Sequence, residues 1–141
     1  MGQDRESGAE GNRYGRETGA AVATLLGAKR LTKRSNESML NGERVAIKCA
    51  APKTDQVGVL TDMLGRVDAV LGCFEGDDGC VEVWRLTRTD YQSRMEASRS
   101  ASHKPGSLMK ARNKLFREKG RLVAAFTAAE VAGARAAQSV G

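Results

Sequence analysis

Aromatic side chains are scarce in this chain, with three Phe, two Tyr and one Trp among 141 residues. Proteins that hold single strands without reading them stack bases on aromatic rings, so a stacking platform is poorly supplied. Any nucleic-acid contact is expected to be with a duplex or with the backbone alone. Histidine is nearly absent too: His103 stands alone, in a Ser-rich stretch beside Lys104-Pro105 that favours a loop and makes it a poor general base. The cysteines, Cys49, Cys73 and Cys80, lack the close spacing of a zinc site or disulfide framework and read as small buried hydrophobes of a reducing compartment. No apolar run reaches membrane-spanning length, and the Gly, Glu and Arg-rich start through Arg13 has no signal-peptide core. A cytoplasmic protein without a membrane partner is expected.

Acids are missing from one region in particular. The formal net charge is +6, and from Arg99 to Arg121 eight Lys or Arg residues stand against a single acid, Glu118. A dense basic segment is the electrostatic footprint of phosphate binding, which makes Lys110, Arg112, Lys114, Arg117, Lys119 and Arg121 the nucleic-acid-binding candidates. The bland alternative is a solvated basic helix face. With 40% hydrophobic residues the chain can bury one core of modest size, so one domain is expected.

The most informative stretch runs from Ser35 to Ala50. Asn41-Gly42 is a strong signal for a two-residue hairpin turn, because both positions of a type I′ turn need φ > 0 and Asn and Gly reach it most cheaply. On the second strand, alternation sends Val45, Ile47 and Cys49 to one side and Arg44, Ala46 and Lys48 to the other. A lysine in an otherwise apolar strand is costly to bury unpaired, and Glu37 on the partner strand is close enough in sequence to face it. Before the hairpin, Tyr14 to Ala28 reads as a helix with Val22, Leu25 and Leu26 on one side and Gly27 as its stop. Lys29 to Lys33 reads as a strand. After it, Val57 to Leu64 reads as a short helix by its apolar spacing, Arg66 to Glu75 as a buried strand, Gly76 to Gly79 as a turn, and Cys80 to Thr87 as an edge strand.

This order, α-β-β-β-α-β-β over about residues 13 to 92, resembles the core of the PD-(D/E)XK nuclease superfamily, the restriction-endonuclease-like fold. The resemblance implies an α/β domain with a mixed sheet flanked by helices. It also implies Mg²⁺-dependent phosphodiester hydrolysis, in which a helix glutamate, a carboxylate on the second strand and an acid-x-Lys triplet on the third surround the metal. The matching positions are Glu17, Glu37 and Lys48, with Glu17 and Glu37 as metal ligands. The triplet acid is replaced, because Ala46-Ile47-Lys48 has a methyl group where a ligand belongs. Glu43 lies an odd number of residues from Lys48 and so points to the opposite face, leaving Asp55 and Gln56 as candidate migrated ligands. Each residue also has an ordinary reading: Glu17 as an acid favoured near a helix start, Lys48 as an edge-strand charge that discourages sheet association, Glu37 as an acid beside a turn.

The expected layout is a disordered tail over 1–12, the core over 13–92, a linker over 93–106 and a basic, Ala-rich helical tail over 107–141. In that tail Ser107 caps a helix from Leu108 to Lys119 that carries Leu115 and Phe116 as packing residues. Two functions are carried forward: a metal-dependent DNA endonuclease, and a catalytically degenerate nuclease fold that serves as a DNA-binding or protein-interaction module. Nucleic acid, DNA before RNA, is the expected partner, and the oligomeric state is left open to a homodimer.

Overall fold

The computed structural model describes residues 2–31, 37–51, 54–97 and 108–140. Its first element is helix α1 (Gly2–Leu26). Gly27, at φ 74°, ends it with a Schellman pair of hydrogen bonds, from Ala28 N–H to the Ala23 carbonyl at 2.9 Å and from Gly27 N–H to the Thr24 carbonyl at 3.1 Å. The backbone of residues 2–12, expected to be disordered, continues the helix. Extending an existing helix costs far less than nucleating one, and the packed turns around Val22 supply the nucleus.

Strands β1 (Lys29–Arg30), β2 (Glu37–Leu40) and β3 (Glu43–Cys49) follow. The β2–β3 turn has Asn41 at φ 52° and Gly42 at φ 80°, the left-handed pair that a type I′ turn requires. It fixes the register, with Leu40 opposite Glu43 and Glu37 opposite Ala46. Then come β4 (Gln56–Leu60), the short helix α2 (Thr61–Leu64), β5 (Ala69–Glu75), β6 (Val81–Thr87) and α3 (Arg88–Arg94). The last elements are β7 (Glu96–Ala97), β8 (Leu108–Arg112), α4 (Asn113–Lys119), β9 (Arg121–Phe126) and α5 (Ala128–Val140).

The architecture is α/β. The main sheet has the order β1-β2-β3-β5-β6-β9, with β2 and β6 running against the other strands, and β3 and β5 parallel at its centre. Val45, Ala46 and Ile47 are all buried, as a strand covered on both faces demands. On one face Val45, Ile47, Leu71 and Cys73 pack with Val22 and Ala23 of α1 and Val131 of α5. On the other, Ala46, Val70, Phe74 and Leu86 lie beneath a second layer built from the small sheet β4-β8-β7 and helices α2, α3 and α4. Gly72 on β5 lets the two layers close: a Cβ there would stand 2.7 Å from the Phe116 ring. Tyr91 ties α3 to β8 by donating its hydroxyl to the Met109 carbonyl at 2.7 Å.

Two expectations are corrected. Val57 to Leu64 is not one helix but a strand through Leu60 followed by α2. Val57 and Val59 are buried and alternate with the more open Gln56 and Gly58, a two-residue period that pairing with β8 selects over the helical one. The C-terminal segment is not an all-helical tail. Its strand β8 is the middle of the small sheet and β9 completes the main sheet beside β6, so the segment belongs to the same folded unit. Short segments such as Leu108–Arg112 and Arg121–Phe126 take their state from the strands available to pair with them, more than from intrinsic propensity. Most of the expected linker, with Arg99, His103, Lys104 and Ser107, lies outside the described residues, as does Lys33 of the expected first strand. Among the described residues no helix is long and apolar enough to cross a membrane.

Candidate functional site

Glu37 is 3% exposed, although it stands at the start of β2. Its cross-strand neighbour is Ala46, whose methyl group leaves room for the carboxylate. Arg44, two residues before Ala46 and on the same face of β3, donates from Nε and Nη2 to Oε2 at 3.0 and 2.8 Å. Arg66, from the turn between α2 and β5, donates from Nη2 to Oε1 at 2.5 Å and from Nε at 3.2 Å. Its hydrogen bonds are the main reason that the Glu37 carboxyl is held below its usual range; burial pushes the other way, and Arg44 adds to the lowering. The backbone secures this arrangement. Asp68 accepts the Arg44 N–H at its Oδ2 at 3.0 Å, and its own N–H returns to the Arg44 carbonyl at 2.8 Å.

Lys48 lies two residues beyond Ala46, so it projects from the same face of β3 as Arg44 and diagonally from Glu37, a separation of roughly 7–8 Å between such positions. Loss of water around the half-buried amine lowers its pKa, while Cys49 and Glu37 act to raise it. The cluster thus sets three cations around one carboxylate.

Mg²⁺ takes carboxylates and waters in a tight octahedral shell, and the residues here do not fit it. Both oxygens of Glu37 are engaged by guanidinium groups, Ala46 offers no ligand, and residues 32–36 contain no acid. Glu17 does not join the cluster. It lies on α1, which covers the other face of the sheet, and its Oε2 is 2.6 Å from Arg135 Nη2 of α5. Glu17 was expected near a helix start, but α1 begins at Gly2 and places it in mid-helix; that this helix packs behind the hairpin was not legible, because it depends on which face of β3 the α1 stripe selects. Glu43 sits on that same far face and pairs with Arg85 of β6, Nε to Oε1 at 2.9 Å. Gln56 opens β4 opposite Arg112, and Asp55 is exposed. Among the described residues no group of three His, Cys, Asp or Glu side chains is placed to hold a metal ion.

The six basic candidates do not share one helix. Lys110 and Arg112 are on β8, Lys114, Arg117 and Lys119 on α4, and Arg121 on β9. Arg117 is held by Glu82 at 3.0 Å and lies over the Trp84 ring, while Lys114 and Arg94 share Glu118. Lys110, Arg112 and Lys114, together with Gln56, Arg94 and Glu96, line an open groove of about 480 Å³. Arg121 opens instead onto a second hollow, beside Glu43 and Arg85. Sequence reasoning missed Arg44, Arg66 and Arg94. Arg44 was within reach, since the turn register that sets Glu37 opposite Ala46 also sets Arg44 on the same side. Arg66 and Arg94 arrive only through tertiary packing.

Compared with protein-family models, with curated proteins and with solved structures, the chain matches none.

Proposed function

We propose that this protein is a nucleic-acid-binding module, with DNA as its partner, built on a restriction-endonuclease-like core that has lost hydrolytic chemistry. The observation that carries the reading is the inverted charge beside β3. Where the nuclease resemblance implies paired carboxylates and a cation, Glu37 faces Ala46 and is enclosed by Arg44 and Arg66, with Lys48 nearby. Such a site repels a metal ion and attracts a phosphate. The element order supports the core assignment: α1-β1-β2-β3-α2-β5-β6 follows the nuclease pattern, with β4 inserted before α2. The groove lined by Lys110, Arg112, Lys114 and Arg94 supplies further contacts for a phosphate backbone.

Incubating the protein with duplex DNA and Mg²⁺ or Mn²⁺ tests the loss of hydrolysis, and the expected result is binding with the DNA left uncut. Four phosphate contacts would give a slope of log affinity against log salt of roughly −3 to −4 through counterion release. Reversing Lys110, Arg112 and Lys114 to Glu should flatten that slope, and an unchanged slope would return those residues to the role of a solvated surface. The second reading, a metal-dependent endonuclease, draws on the shared face of Glu37 and Lys48. Metal-dependent cleavage that disappears in Lys48→Ala would establish it in place of the first.

A further inference from the structure

Arg44 and Arg66 both turn the Nε and Nη2 edge of the guanidinium toward Glu37, so the Nη1 donor of each is directed away from that carboxylate. Their side chains are 42% and 48% exposed, while the carboxylate that anchors them is buried. Two planar forks are therefore pinned from behind and open in front, as guanidinium groups are when they receive a phosphate. We infer that the Arg44–Glu37–Arg66 cluster, with Lys48, binds a phosphomonoester dianion, and that the phosphomonoester is the phosphorylated end of a nucleic-acid strand. The second half of this rests on the function proposed above.

The second phosphoryl charge favours the monoester over the internal diester where two guanidinium groups meet. Arg44, Arg66 and Lys48 stand around Glu37, with Asp62 acting on Arg66 and Asp68 accepting the Arg44 N–H. A phosphomonoester carries about −1.5 to −2 at neutral pH, whereas each phosphodiester of a duplex backbone carries one negative charge. Pre-orientation adds to the preference, because the arginine rotamers are already fixed by Glu37 and are not ordered at the expense of binding. The groove between β8 and α4 differs in this respect: Arg94 and Lys114 there share Glu118, and Lys110 stands directly opposite Glu96.

The test compares two short duplexes of one sequence, with 5′-phosphate or 5′-hydroxyl ends, by fluorescence anisotropy at fixed salt, alongside titration of inorganic phosphate followed by ³¹P NMR. The phosphorylated duplex should bind roughly tenfold more tightly, the effect of one charge-assisted hydrogen bond at a half-exposed site, and Arg66→Gln should abolish the preference. Since Arg66→Gln leaves the buried Glu37 short of a counterion and can unfold the protein, Lys48→Met is the second variant. It removes a partly desolvated charge without exposing a partner, and should reduce the preference severalfold. Equal affinity for the two duplexes, with no phosphate binding, would overturn the inference and leave the DNA-binding reading standing. Phosphate binding without binding of either duplex would keep the monoester site and remove the nucleic-acid reading.

Discussion

Glu37 and Glu17 are both carboxylates bound to arginine, and they lie on opposite sides of the same sheet. Behind the sheet, Glu17 meets Arg135, and Glu43 meets Arg85 with Arg121 nearby. In front, Glu37 meets two guanidinium groups and lies near a lysine. The difference lies in burial and in how many guanidinium groups share one acid. The pairs behind the sheet are partly exposed at both partners and serve to tie α1 to α5 and β3 to β6. The cluster in front is buried at its acid and half-exposed at its two arginines, so it can both stabilise the hairpin and present guanidinium edges to an anion.

The largest effect is expected from breaking the front cluster. Glu37→Gln keeps the shape of the side chain but leaves charge-assisted bonds as neutral ones, and should lower stability by about 2 kcal/mol; urea unfolding would show it as a shift in midpoint at constant slope. The same group makes stability depend on pH. Its carboxyl pKa is depressed in the fold from an ordinary value of 4.5. The stabilisation is therefore fully present above that value and fades as pH falls through the depressed one. Thermal melts of the natural chain and of Glu37→Gln should thus converge as the solution is acidified below the ordinary carboxylate range. If the gap between them is as wide in acid as at neutral pH, the bonds to Arg44 and Arg66 contribute no charge-dependent stability.

How much of this was legible in the sequence depended on range. The Asn41-Gly42 turn is local, and it carried the hairpin, its register and the shared face of Glu37 and Lys48. The alternation of Val81 and Val83 with Glu82 and Trp84 is local as well and marked β6, but as an edge strand, whereas β9 pairs along its outer side. Beyond about a hairpin's length the reading failed. Leu108–Arg112 and Arg121–Phe126 are too short to declare a period, and their strand state comes from β4 and β6, dozens of residues away in sequence. The candidate site divides in the same way. Arg44 follows from the hairpin register, Arg66 does not, and Glu17 was misassigned because a helix pattern tells which of its own sides is apolar but not which side of a sheet receives it.

A smaller effect, of opposite sign, is expected behind the sheet. Among the described residues the Ser38 hydroxyl is buried there without a hydrogen-bond partner, and an unsatisfied buried hydroxyl costs about 1 kcal/mol or more. Ser38→Ala removes the unpaired group with little change of volume, so it should raise stability by about 1 kcal/mol, read as a higher melting temperature. A drop instead would mean that the hydroxyl has a partner such as an ordered water.

The smallest effect should come from Glu17. Its side chain is 46% exposed and that of Arg135 38%, so solvent screens the pair and each partner can hydrate when the other is removed. Exposed ion pairs contribute about 0 to 1 kcal/mol, and Glu17→Gln should fall in the lower half of that range by urea unfolding. DNA affinity is the sharper measurement. Glu17 is held on α1, on the side of the sheet away from Arg44, Arg66 and Lys48, so Glu17→Gln should leave both the affinity for duplex DNA and the preference for a phosphorylated end where they were. A marked change in either, with stability intact, would mean that the two faces act together. The distinction between structural pairs behind the sheet and an anion site in front of it would then fail.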